Sequence, residues 1–165
     1  MSRVNGALYP FGYGLSYTTF KYSDLVVTPS VITPKQEVTV CFNVTNTGDR
    51  EGDEIVQMYV RDIISSVTTY EKNLRGFERI NLQPGETKEV VFTITPEELS
   101  LYNKEEKWVV EPGDFRIMVG ASSTDIRLSD TLTVIPYQDS KHPAETRRIQ
   151  MPDGRVVRGI ILLFL

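Results

Sequence analysis

Apolar and polar residues alternate along most of the chain between Phe20 and Val134. In the clearest stretch, Glu37 to Asn46, one face carries Val38, Val40, Phe42 and Val44. A period of two places successive side chains on opposite faces of a strand, so this stretch is predicted as a half-buried β-strand. Glu54 to Arg61 also alternates, but with apolar residues in both registers, which is typical of a central strand.

The remaining predicted strands are short and are separated by turn-forming residues. They are Phe20–Val27, Leu74–Leu82, Glu89–Thr95, Lys107–Glu111, Asp114–Gly120 and Ile126–Val134. About seven short strands with a turn roughly every ten residues are typical of a two-sheet sandwich. Residues 20–135 are therefore predicted to form an all-β sandwich of the immunoglobulin type.

Turn and cap residues refine this prediction. Pro112-Gly113 predicts a tight hairpin between the strands on either side of it, and Gln83-Pro84-Gly85-Glu86 predicts a turn. Thr95-Pro96 followed by two glutamates favours one short helical turn that ends near Leu101. Helix signals are otherwise nearly missing from residues 20–135.

The segment ahead of the sandwich reads LYPFGYGLSYTTF from Leu8 to Phe20, and we call it the aromatic segment. It carries five aromatic side chains around two glycines and a proline: Tyr9, Phe11, Tyr13, Tyr17 and Phe20. Glycine allows the backbone to turn sharply, and the aromatic rings offer large faces for burial. We predict residues 1–19 as an interdomain linker, with these five aromatic side chains at a domain interface.

Residues 136–165 break the alternating pattern with three prolines and are predicted as an irregular C-terminal extension. Asp153-Gly154 is followed by a largely apolar run, for which the sequence supports two structures equally. The run is either a further hairpin strand or an extension that packs on a neighbour. Its last apolar residues, Ile160 to Leu165, are too few to span a bilayer, so no membrane partner is expected.

Charge and chemistry limit the candidate functions. The net charge is −4, and residues 135–165 hold five basic and three acidic residues, so the rest of the chain carries −6. An acidic body argues against a nucleic-acid partner. Cys41 is the single cysteine and lies in a strand pattern, which favours a structural thiol. His142 is the single histidine, so neither a metal site nor a His-dependent triad is expected, and no cofactor is predicted.

The aromatic segment is similar, almost letter for letter, to the segment that leads into the C-terminal fibronectin type III-like domain of family 3 glycoside hydrolases. Three further blocks are similar to the same family and follow in the same order: VTNTGDREGDEIVQMYVRD (Val44–Asp62), LRGFERINLQPGETKEVVFTITPEELSLYN (Leu74–Asn103) and WVVEPGDFRIMVGASSTDIRL (Trp108–Leu128). The resemblance extends from about Leu8 to Val134. It implies a fibronectin type III-like β-sandwich.

The same resemblance implies an enzyme that hydrolyses β-glycosides with retention, with its nucleophile and acid/base carboxylate in preceding domains. Retaining hydrolysis needs two carboxyl groups about 5 Å apart, one of them with a raised pKa. The acids of this chain fall in turns and at strand ends, where a solvated surface explains them. We therefore expect no catalytic residue here, and an accessory, stabilising domain whose partners are the catalytic domains of such a hydrolase.

The 62–72 segment and Trp108 could also contact the substrate. Asp62 to Lys72 is long and irregular, as functional loops often are, and Arg61 and Tyr70 could contact a distal sugar from it. A structural role for these residues is the favoured alternative. Trp108 is expected over the core or against a neighbouring domain, with sugar stacking as the alternative.

Other classes of function stay open. The chain could be a free-standing module that binds carbohydrate or protein. Coplanar exposed aromatic side chains on one face would indicate a carbohydrate-binding module. The chain could also be a fragment of a longer reading frame. Without a partner, the aromatic segment is expected to drive self-association unless it folds back onto the sandwich. No secretory signal follows Met1, although the resemblance implies a periplasmic or secreted location, so the location is left open. Asn43-Val44-Thr45 has the form of a glycosylation sequon, which we take as a chance match.

Overall fold

The computed structural model describes residues 8–137, 146–150 and 156–160. One helical turn, α1, covers Pro96–Leu99. The strands are β1 (Phe20–Thr28), β2 (Val31–Ile32), β3 (Val38–Asn46), β4 (Gly52–Asp62), β5 (Asn73–Leu82), β6 (Thr87–Ile94), β7 (Leu101–Tyr102), β8 (Trp108–Val109), β9 (Gly113–Gly120), β10 (Ile126–Val134), β11 (Thr146–Gln150) and β12 (Val156–Ile160).

Two sheets form the sandwich that the sequence predicted. One has three strands in the order β1-β3-β6, and the other has five in the order β2-β10-β9-β4-β5. Neighbouring strands are antiparallel, except that β2 runs parallel to β10. Strand β4 lies between β9 and β5, which confirms its prediction as a central strand. The all-β fold class is therefore confirmed.

Both sheets turn their apolar registers toward a shared core. The four residues predicted on one face of β3 are all buried: Val38, Val40, Phe42 and Val44. Opposite them lie buried residues of the five-stranded sheet, including Met58, Ile117 and Leu132. Full burial of one such side chain stabilises the fold by roughly 1.5–3 kcal/mol, so the alternating pattern alone accounts for much of the core.

The hairpin predicted around Pro112-Gly113 is wrong. Trp108 and Val109 pair instead with Tyr102 and Leu101, in a small two-stranded sheet. Strand β9 already has β4 on one side and β10 on the other, so neither of its edges is free for β8. The turn that closes β7 onto β8 is held by Asn103, whose side-chain oxygen accepts hydrogen bonds from the amides of Glu105 and Lys107 at 3.1 and 3.0 Å.

The predicted helical turn is confirmed, but it ends at Leu99 rather than near Leu101. The carboxylate of Glu98 accepts a hydrogen bond from the amide of Thr95 at 2.7 Å, which satisfies a donor at the helix start. Leu101 is free to enter β7 because the chain returns to an extended conformation at Ser100.

In the C-terminal extension, β11 and β12 pair antiparallel, with Arg148 opposite Arg158. Strand pairing, the first of the two alternatives for this region, is observed, and packing on a neighbour stays a prediction. His142 and Asp153-Gly154 lie outside the described residues. Within the described part of the chain, no helix is long and apolar enough to cross a membrane.

Candidate functional site

The aromatic segment lies on the surface of the sandwich with most of its rings in solvent. Tyr17 is 94% exposed and Phe11 66% exposed, and Tyr9 and Tyr13 are also exposed. Phe20 differs, because it is half-buried at the start of β1 and packs against the core. No charged residue occurs between Leu8 and Phe20. The segment therefore presents an uncharged aromatic surface, and one of its five predicted interface residues points inward.

Hydrogen bonds hold the backbone of this segment on the outer face of the five-stranded sheet. The side-chain nitrogen of Gln57 donates to the carbonyl oxygen of Gly12 at 3.3 Å and to that of Ala121 at 2.7 Å. The amide of Ser123 donates to the carbonyl oxygen of Phe11 at 3.0 Å. Gln57 is 3% exposed although it projects from the face of β4 opposite the core. The rings are thus exposed on a fixed backbone.

Asn46 provides a second anchor at the end of β3. This fully buried side chain accepts hydrogen bonds from the hydroxyl of Thr18 at 2.6 Å and from the amide of Gly48 at 3.0 Å. Its nitrogen donates to the carbonyl oxygens of Arg50 at 2.7 Å and of Leu82 at 2.9 Å. One amide group therefore joins the aromatic segment to the turns that follow β3 and β5.

A cavity of about 300 Å³ separates the aromatic segment from the ends of β4 and β10. Glu54 lines it and accepts a hydrogen bond from the buried hydroxyl of Tyr22 at 2.7 Å. Burial raises the pKa of Glu54, and the Tyr22 hydroxyl and the charge of Arg127 partly oppose that shift. Burial and the nearby Glu54 raise the pKa of Tyr22. Asp125, also on this cavity, is paired with Arg127 at 2.6 Å.

These acidic groups do not form a cation site. In the described part of the chain, no three histidine, cysteine, aspartate or glutamate side chains lie together in a way that could hold a metal ion. The Tyr22–Glu54 pair is a half-buried hydrogen bond at the edge of the core. It requires no ligand to explain it.

Arg61 and Tyr70 line the same surface depression of about 400 Å³, formed by residues 61–71. Tyr70 is 80% exposed, whereas Arg61 is half-buried. The carboxylate of Glu111 accepts hydrogen bonds from the backbone amide of Ser66 at 2.9 Å and from its hydroxyl. The structure thus brings Arg61, near the end of β4, and Tyr70, in the loop that follows it, to one depression, and the loop is fixed near its middle.

Trp108 is 71% exposed, so the first of its two expected positions, over the core, is wrong, and the second, against a neighbouring domain, stays a prediction. Its ring contacts Tyr102, with centroids 5.5 Å apart and planes 58° apart. The reason is the pairing of β8 with β7, which removes Trp108 from both main sheets. Sugar stacking by Trp108 stays an untested alternative.

Sequence reasoning missed Gln57, Asn46 and Glu111 as anchoring residues. Gln57 interrupts a run of apolar residues in β4, which is a signal that a polar partner covers that position. Asn46 is a polar residue in the register of β3 whose other members are buried and apolar. A polar residue at such a position again signals a buried hydrogen-bond partner. Glu111 gives no such signal, since its partner lies in a distant loop.

Comparison with known proteins places this fold in a family. Residues 54–123 match the fibronectin type III-like domain. A β-xylosidase of Formosa agariphila is 55% identical over 116 residues, which are 70% of this chain and 16% of that protein. The periplasmic β-glucosidase of Salmonella typhimurium is 46% identical over 124 residues, which are 75% of this chain and 16% of that protein.

Solved structures agree with the sequence matches. A β-glucosidase from Listeria innocua in complex with glucose superposes with a TM-score of 0.74 at 36% identity, over 79% of this chain and 18% of that one. β-Glucosidase 3B from Thermotoga neapolitana gives a TM-score of 0.71 at 40% identity, over 77% of this chain and 17% of that one.

The sandwich and these matches define a fibronectin type III-like domain. The chain belongs to the group of such domains found in the C-terminal part of family 3 glycoside hydrolases, as its sequence blocks predicted. It spans only about 16% of the length of the two curated relatives described above.

Proposed function

We propose that this chain is the non-catalytic accessory domain of a family 3 glycoside hydrolase that acts on β-glycosides. The observation that carries the proposal is an exposed, uncharged aromatic segment held on a complete sandwich. Its relatives are β-xylosidases and β-glucosidases about six times longer than the matched region, so most of each relative lies outside that region. The role of the domain is to cover and stabilise the catalytic part.

The aromatic segment is the docking surface in this proposal. Five apolar residues within one ten-residue stretch are each more than half exposed: Leu8, Tyr9, Phe11, Leu15 and Tyr17. Exposed apolar patches mark interaction sites on soluble proteins. Because the segment carries no charge, the surface it meets is apolar or aromatic rather than ionic. In the isolated chain the same surface favours self-association.

The depression at residues 61–71 is the second part of the proposal. Arg61 and Tyr70 offer a guanidinium group and an exposed ring in one depression, a combination that suits a sugar hydroxyl and a sugar face. We propose that this loop lies at the rim of the substrate cleft and contacts a distal sugar. The role is positional and includes no bond-breaking step.

The alternative of a free-standing carbohydrate-binding module has weaker support. Tyr102 and Trp108 are both exposed, but their rings are tilted by 58° and do not form a flat platform. Coplanar exposed rings were the expected mark of that alternative. Exposed apolar side chains are instead concentrated in the aromatic segment.

A chimera tests the accessory role. The matched segment of the Formosa agariphila β-xylosidase is replaced by residues 8–137 of this chain, and hydrolysis of an aryl β-xyloside is measured. The chimera is expected to keep most of the parent activity. The enzyme without the segment is expected to lose activity and thermal stability, and this chain alone is expected to be inactive.

Variants locate the interface. Phe11→Ser with Tyr17→Ser in the chimera is expected to weaken docking, since truncating an aromatic at an interface costs about 1 kcal/mol or more. Phe77→Ser is the matched control, because Phe77 is 70% exposed on β5 and lies outside the aromatic segment. Equal effects of the two changes would reject the segment as the interface. Hydrolysis by this chain alone would reject the non-catalytic role.

A further inference from the structure

Two buried polar atoms at the base of the 62–72 loop lack hydrogen-bond partners among the described residues. They are Oδ2 of Asp62 and Nε of Arg75. The ion pairs in the described part of the chain do not include either side chain. A buried polar atom without a partner costs about 1–3 kcal/mol, and more when the group is charged. Each of the two atoms therefore calls for a hydrogen-bond partner that the described residues do not supply.

Both side chains line one small cavity of about 30 Å³. Its apolar walls include Val60, Leu99 and Phe115, and its polar walls include the hydroxyl-bearing residues Thr69 and Ser100. One water molecule needs roughly 10–15 Å³ of such volume and two to four polar partners. The cavity meets both conditions, and it is too small for a sugar.

Arg75 reaches this cavity because of a bulge in β5. Met58 lies opposite Gly76, while the next residue, Tyr59, lies opposite Leu74. Arg75 is therefore the extra residue, without a partner on β4. A bulge of this kind bends the strand and re-aims the side chain, here toward the loop.

We propose that one ordered water molecule occupies this cavity, accepting a hydrogen bond from Nε–H of Arg75 and donating one to Oδ2 of Asp62. A hydroxyl of Thr69 or Ser100 is available to its remaining hydrogen. The water thereby ties Asp62, the last residue of β4 and the start of the loop, to β5 and to the segment after α1. Together with the Ser66–Glu111 contact, it holds the loop in place at two points, whether or not a partner is docked.

A crystal structure of the whole chain at about 1.5 Å resolution tests the site directly. The expected result is a single peak of density about 2.7–3.2 Å from both Oδ2 of Asp62 and Nε of Arg75. A cavity without density, or a direct contact between the two side chains, would overturn the proposal. This measurement requires no variant.

Hydrogen exchange tests the consequence for the loop. Arg75→Met removes the donor and is expected to speed the exchange of amides in residues 62–72 by about fivefold or more. Arg75→Lys, which keeps the charge but removes Nε, is expected to do the same and serves if the first variant fails to fold. Arg79→Met is the matched control, an exposed arginine of the same strand, and is expected to leave the loop unchanged. Unchanged exchange in both Arg75 variants would contradict the bridge.

Discussion

Gly12 and Gln57 are 45 residues apart in sequence, and the side-chain nitrogen of Gln57 donates to the carbonyl oxygen of Gly12 at 3.3 Å. Gly12 has a φ of +77°, and a Cβ built there would lie 2.2 Å from Oε1 of Gln57. Gln57 cannot move away without losing its 2.7 Å hydrogen bond to Ala121. The aromatic segment is therefore held at a position that only glycine fits.

Replacing this glycine should release the segment. Gly12→Ala is expected to lower the free energy of unfolding by about 1–3 kcal/mol and to speed chymotrypsin cleavage at Tyr9 to Tyr17, because alanine disfavours positive φ. Gly14→Ala is the matched control, since nothing lies within 4 Å of a Cβ there. Equal protease resistance of the two variants would show that the Gln57 contact does not hold the segment.

Removing the amide of Asn46 should destabilise the whole sandwich. Asn46→Ala leaves the hydroxyl of Thr18 and the carbonyl oxygens of Arg50 and Leu82 without their partner, the contact with Leu82 being fully buried, so a loss of about 2–4 kcal/mol is expected in urea unfolding. Asn81→Ala is the control, because Asn81 is exposed and makes one side-chain bond to Asp53; a change within about 0.5 kcal/mol is expected there. A small effect at Asn46 would mean that solvent replaces its contacts.

The stacked rings at the centre of the core give the largest expected effect. Phe42 is 1% exposed, and its ring centroid lies 6.0 Å from that of Tyr22 and 6.1 Å from that of Phe92. Phe42→Ala is expected to destabilise the fold by about 3–5 kcal/mol in equilibrium unfolding. Phe77→Ala, at an exposed ring, is expected to change stability by less than about 1 kcal/mol. Similar values for the two variants would contradict the placement of the core.

The pH dependence of stability should report on Glu54. Burial raises its folded-state pKa above the ordinary value of 4.5, so folding favours the neutral form. The stability that Glu54 contributes is fully present below pH 4.5 and is lost as the pH rises through the folded pKa. Glu54→Gln stays neutral and can still accept the Tyr22 hydrogen bond. It is therefore expected to melt at a higher temperature than the native chain at pH 7, with no difference below pH 4.

Asp53 provides a control of opposite sign. Hydrogen bonds from Arg79 and Asn81 lower the pKa of Asp53 below its ordinary value of 3.8. Asp53→Asn is therefore expected to lower the melting temperature slightly at pH 7, with the difference fading as the pH falls through the depressed pKa. The same pH trend for both variants would show that net charge, and not the local environment, governs the response.

The strands were predictable because their signal is local. The prediction for β10, Ile126 to Val134, matches its observed bounds, and β9 starts one residue earlier than predicted. Strands such as β3 bury one face, and the alternation of apolar and polar residues shows this directly in the sequence.

Strand pairing was less predictable, as β8 shows. The two residues of β8 do not indicate whether it pairs with β7 or with β9. It pairs with β7 because β4 and β10 already occupy both edges of β9. The exposure of Trp108 followed from that pairing, so the predicted hairpin and the placement of Trp108 over the core failed together.

The candidate site was predictable in composition but not in arrangement. The sequence identified the aromatic residues of the segment from their density around two glycines, and it identified the 62–72 loop from its irregularity. The contacts that fix them, Gln57 to Gly12 and Glu111 to Ser66, join residues 45 apart and depend on the folded sheet. A sequence pattern with a period of two contains no information about such pairs.

The path of residues 20–32 has a mechanical consequence. Strand β1 belongs to one sheet and β2 to the other, where β2 runs parallel to β10 through hydrogen bonds of 2.9 Å from Thr133 to Ser30 and 2.8 Å from Ile135 to Ile32. Tension between the chain before Phe20 and the chain after Ile135 acts first on the pairing of β1 with β3 and, once it reaches β2, draws β2 and β10 lengthwise past each other. Their hydrogen bonds then share the load and must break together, so the domain resists stretching along the line that joins its two ends.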